Sequence, residues 1–106
     1  MDNNNLNNPD GQEISIELTE EIAEGIYSNL AIITHSHTEF VVDFIRLMPG
    51  INKAKVKSRI ILTPEHAKQL MKALQDNINR FESINGTIST KDFPFPMNFG
   101  GAKGEA

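Results

Sequence analysis

The residues of this chain that bear on chemistry are its histidines, one mid-strand aspartate, a row of alternating cations and a Phe/Pro segment. His35 and His37 stand two apart. On an extended chain that spacing puts both on one face, the beginning of a two-histidine metal pair. His66 is remote, and no third ligand is near, so the pair reads instead as polar residues of a short connection. Ser28, Ser36 and Ser58 lie in no G-x-S-x-G elbow, and no Gly-rich phosphate loop occurs. Asp43 has apolar neighbours, which would raise its pKa; an exposed or Arg-paired carboxylate is the commoner outcome. With no cysteine, disulfides and thiolate metal sites are unavailable. No catalytic set assembles. The expectation is a non-enzymatic protein without cofactor or metal.

Lys53, Lys55, Lys57 and Arg59 alternate along one segment and would present a basic face able to take phosphates. The aromatic residues with which single-strand binders interleave such cations are missing. A solvated face that discourages edge pairing is the preferred reading. The net charge of −4 also argues against a generic nucleic-acid binder. The first two dozen residues carry Asp2, Asp10, Glu13, Glu17, Glu20, Glu21 and Glu24 with no Lys or Arg. This acidic stretch and the basic strand could meet within one chain or between subunits. Phe93, Phe95 and Phe99 lie outside the core-forming segments, and the prolines between them favour an extended conformation. They either pack back on the domain or dock on a partner.

The elements that must position these residues follow from periodicity. Residues 1–11 are Asn-rich and read as a disordered tail. Ile14, Ile16 and Leu18 alternate with polar residues, a half-buried strand. Thr19 is suited to cap a short helical turn ended by Gly25, or the segment is a loop; the sequence leaves both open. Two strands, Ile26 to Thr34 and Glu39 to Leu47, are apolar on both faces, and Lys53 to Leu62 is a fourth. Thr63 is a good N-cap, Pro64 suits the first helical position, and Gly86 should close the helix in the left-handed conformation. Between them Ala67, Leu70, Met71, Leu74, Ile78 and Phe81 form one apolar stripe. Residues 87–106 read as a flexible Pro/Phe/Gly tail.

Several runs also resemble a known family. They are Tyr27-Ser28-Asn29, His37-Thr38-Glu39-Phe40-Val41-Val42-Asp43-Phe44, Pro49-Gly50, Ala54-Lys55-Val56, Ser58-Arg59-Ile60-Ile61 and Thr63-Pro64-Glu65-His66-Ala67-Lys68. Together they resemble the small prokaryotic proteins grouped as domain of unknown function 3467, over about residues 12–88. The resemblance implies no activity, cofactor or catalytic residue. The order of four strands and a helix is also similar to that of SecB-type export chaperones, an analogy of topology that carries no function.

The expected architecture is α+β: a four-stranded antiparallel sheet over residues 12–62, with helix 64–85 packed on one face. The other face would keep Tyr27, Ile33, Val41 and Ile45 for a homo-oligomer interface. The expected function is a small cytoplasmic binding or assembly module that associates with itself and with a protein partner, not with nucleic acid or membrane. The alternatives are a SecB-like holder of apolar peptides and a nucleic-acid module using residues 53–59.

Overall fold

The computed structural model describes residues 4–7 and 13–90. Its elements are β1 (Asn4–Asn7), β2 (Glu13–Ile16), α1 (Glu20–Ala23), β3 (Leu30–His35), β4 (Phe40–Arg46), β5 (Lys55–Leu62) and α2 (Pro64–Asn85). The fold is α+β with antiparallel pairing throughout, but the four-stranded sheet is replaced by two sheets. β3, β4 and β5 form one of three strands, in that order, and β1 pairs only with β2. Asn4–Asn7, expected within a disordered tail, are therefore a strand. The alternation of Ile14 and Ile16 marks β2 as a strand but does not name its partner. The partner is supplied by a tract whose Asn residues have low strand propensity.

β3 and β4 are joined by a tight turn. Ser36 N donates to Glu39 O at 2.9 Å, and Ser36 Oγ accepts from Thr38 N and Glu39 N. This turn sets the register: Leu30 faces Ile45, Ile33 faces Val42 and His35 faces Phe40. Residues opposite one another share a face, so odd-numbered residues of β3 join even-numbered residues of β4. Ile33 therefore lies with Phe40, Val42 and Phe44, while Val41 and Ile45 lie on the other side. The single face expected to hold Ile33, Val41 and Ile45 together is thus split by the hairpin register.

The register of β5 shifts between Phe44 and Ile45: Phe44 faces Ser58, and Ile45 faces Val56. The extra residue, Lys57, is a bulge. Beyond it the alternation changes phase, so Arg59 stands opposite Asp43 on one face and Lys55 opposite Arg46 on the other. Lys53 precedes the strand. The expected one-sided basic face does not form.

α1 settles the alternative left open by the sequence. Thr19 accepts from Ile22 N at 3.3 Å, and Gly25, at φ +78°, donates to Ile22 O and ends the turn. α2 begins and ends where expected, with Thr63 accepting from His66 N at 3.1 Å. Gly86 has φ 94° and ψ 165°. Its φ is positive as expected, but its ψ lies outside the left-handed helical region, in one essentially confined to glycine.

α2 is not packed down on the sheet. It makes little contact with β5 and has no buried residue. Met71 remains 61% exposed, Leu74 57% and Phe81 51%. Among the described residues the only buried apolar side chains are Leu30 and Ile45, both 6% exposed, beside Asp43. The reason is local. Thr63 alone separates β5 from α2, whereas strand-to-helix loops commonly take two to six residues. Thr63 is extended, at φ −68° and ψ 155°, and its O and Oγ1 accept from Ala67 N and His66 N. The helix is launched from the strand end without room to fold back over its own sheet.

Candidate assembly interface

α1 stands over the face of the sheet that carries Phe44. Between them is a groove of about 560 Å³, lined by Glu21, Ile22, Gly25, Ile26, Ser28, Phe44, Ser58 and Ile60. Ile22 lies on α1 and Ile26 just beyond Gly25, and both line the groove. They form the wall, and Phe44 and Ile60 lie on the sheet below. All are at least partly exposed. These four residues were not singled out as a site from sequence; the available signal was a pair of isoleucines on either side of Gly25 in a segment too short to bury both.

Ser28 and Asn29 fix the segment that leads from α1 into β3. Ser28 Oγ is 3.0 Å from Leu30 O and 2.9 Å from Ile45 O, and donates to these carbonyls. Asn29 backbone N donates to Ile45 O at 3.1 Å. The Asn29 side chain donates from Nδ2 to Leu47 O at 3.1 Å and accepts at Oδ1 from Leu47 N at 2.7 Å. A side-chain amide thus replaces a peptide group and prolongs the β3–β4 ladder past the end of β3.

On the opposite face Asp43 is held by Arg59, with Nε to Oδ1 at 2.6 Å and Nη2 to Oδ2 at 2.8 Å. The Arg59 hydrogen bonds hold the carboxyl below its ordinary range; burial acts against them and the Arg59 charge acts with them. The same bonds raise the pKa of Arg59, whose side chain is nevertheless 63% exposed. Arg59 is therefore committed within the chain, and Lys53, Lys55 and Lys57 remain exposed. This is the only ion pair among the described residues, so the acids of residues 13–24 and the lysines of β5 do not meet within the chain.

His35 lies in β3 and stacks on Phe40, ring centres 5.3 Å apart, while His37 is in the turn. Among the described residues no three His, Asp or Glu side chains gather as metal ligands. Tyr27 precedes β3 and is exposed, Ile33 is exposed as well, Val41 is partly exposed, and Ile45 is buried. Phe93, Phe95 and Phe99 lie outside the described residues. No helix among the described residues is long and apolar enough to cross a membrane.

A family model described as Protein of unknown function (DUF3467) matches residues 1–90. The chain belongs to that family. The match begins at the first residue, so it takes in β1, which the resemblance over 12–88 had left out. No curated protein matches the chain, and no solved structure does. The likeness to SecB-type chaperones, drawn from an order of four strands and a helix, finds no support in these comparisons or in the observed order of elements.

Proposed function

We propose that this chain is a self-associating assembly module whose folded state is completed by a second copy. The observation that carries this reading is the apolar stripe of α2. Leu70, Met71, Leu74 and Phe81 are exposed on a well-capped helix that its own sheet does not cover. A helix of this type draws most of its stability from packing its apolar face, not from intrinsic propensity. The two buried apolar side chains leave a small core for the ordering of eighty or so residues, and small domains make up such a deficit by oligomerising. A second copy suits the role because each chain brings both an uncovered helix stripe and a partly uncovered sheet.

The same stripe would serve a holder of apolar peptides, and size in solution separates the two. Light scattering at micromolar concentration should give a multiple of 11.8 kDa, with a melting temperature that rises with protein concentration. A monomer that binds unfolded chains saturably would replace this reading with the holder.

A further inference from the structure

Resting on the self-assembly reading above, we infer that α2 of one copy lies in the groove between α1 and the sheet of a second copy. The second copy returns the same contact about a twofold axis. Three observations select this arrangement over a simple pairing of two helices.

The first is area. Helix α2 has 22 residues and is about 33 Å long at 1.5 Å per residue. An apolar seam about 10 Å wide, the spacing of packed helices, then covers roughly 330 Å². That is less than half of the roughly 800 Å² per partner in a stable interface. If each chain gives its stripe and also receives one in its groove, the contact doubles, and self-complementarity of this kind is what a twofold interface requires.

The second is fit. The groove has room for several side chains, and its wall and floor residues Ile22, Ile26, Phe44 and Ile60 stand partly exposed. The stripe that needs cover belongs to the same chain, and the one-residue junction at Thr63 keeps it from its own groove.

The third is charge. Arg46 and Lys55 stand directly opposite one another on the Phe44 side of the sheet, and like charges so placed are destabilising. The last turn of α2 carries no basic residue, leaving its negative helix end unopposed. A partner helix whose C-terminal turn lies toward Arg46 and Lys55 relieves both, which also sets the direction of the helix in the groove.

The absence of native cysteine makes disulfide trapping clean. Single variants Ile60→Cys and Leu74→Cys would be unfolded together, refolded and oxidised. Ile22→Cys with Leu74→Cys gives a second pair at an exposed wall residue, where substitution leaves folding undisturbed. The expected product in both mixtures is a covalent heterodimer joining groove to helix. If Leu74→Cys links only to itself, the helices pair with each other and the groove assignment is overturned. If no groove-to-helix disulfide forms in a protein that scattering shows to be oligomeric, the groove is likewise excluded while self-assembly stands. A monomer in scattering removes the self-assembly reading itself.

Discussion

Asp43 and Arg59 are a cross-strand pair that the chain has made without a ligand. The folded pKa of Asp43 lies below its unfolded value, so the pair stabilises the fold above the unfolded pKa. That contribution is lost as pH falls through the folded pKa, which places the loss below about pH 4. Exposure of Arg59 and screening keep it small. An acid titration of Arg59→Gln, followed by circular dichroism, should show a shallower loss of stability below pH 4 than the native chain. An equal slope would mean that Asp43 is not held by Arg59 in solution. Asn29 is a second residue whose role is structural. Its two bonds to Leu47, at about 0.5–1.5 kcal/mol each, predict that Asn29→Ala costs about 1–3 kcal/mol in urea denaturation. Asn29→Asp keeps the acceptor and should cost less. Equal stability of all three proteins would show that the side chain does not extend the ladder.

The junction at Thr63 decides where α2 can go, and it can be altered without touching any apolar contact. Inserting Gly-Ser-Gly-Ser between Leu62 and Thr63 should let the helix reach its own groove. Relief of a short hinge commonly reverses exchange of elements between subunits. The expected outcome is a shift of the mass toward monomer with helix content retained. An unchanged oligomer would show that the junction does not dictate the exchange. The same junction shows how much of the structure could be read beforehand. Thr63, Pro64 and Gly86 mark the helix because caps act within a few residues, and alternation marks β2 and β5 for the same reason. The position of that helix was not legible, because the stripe of Leu70, Leu74 and Phe81 announces that a face will be covered but not by which chain. Nor was the face of Ile33, which depends on the hairpin register at Ser36–Glu39, or the phase of Lys55, which depends on the bulge at Lys57. The groove was hidden for a related reason: Ile22 and Phe44 are far apart in sequence, and only the turn at Gly25 brings them together.

A molecule with open sheet edges must avoid unbounded edge-to-edge growth. Among the described residues β3 and β5 are the two open edges of the three-stranded sheet, and they differ in kind. β3 offers Leu30, Ala31, Ile32 and Ile33 and contains no Lys, Arg, Asp or Glu, whereas β5 carries Lys55, Lys57 with its bulge, and Arg59. Lysines and bulges are established guards of exposed edges. Two β3 edges can pair with each other and stop, since that contact uses up both. A β3 edge meeting a β5 edge would leave a fresh edge at either end and run on as a filament. If the lysines of β5 guard that edge, they would act as a chain terminator for polymerisation, a duty that needs no bound phosphate and no single charged face. Lys55→Ala/Lys57→Ala should convert slow, bounded association into thioflavin-positive fibres at high concentration, with a lag that shortens on seeding. Should the double variant stay as soluble as the native chain under seeding, the cations have no part in halting growth.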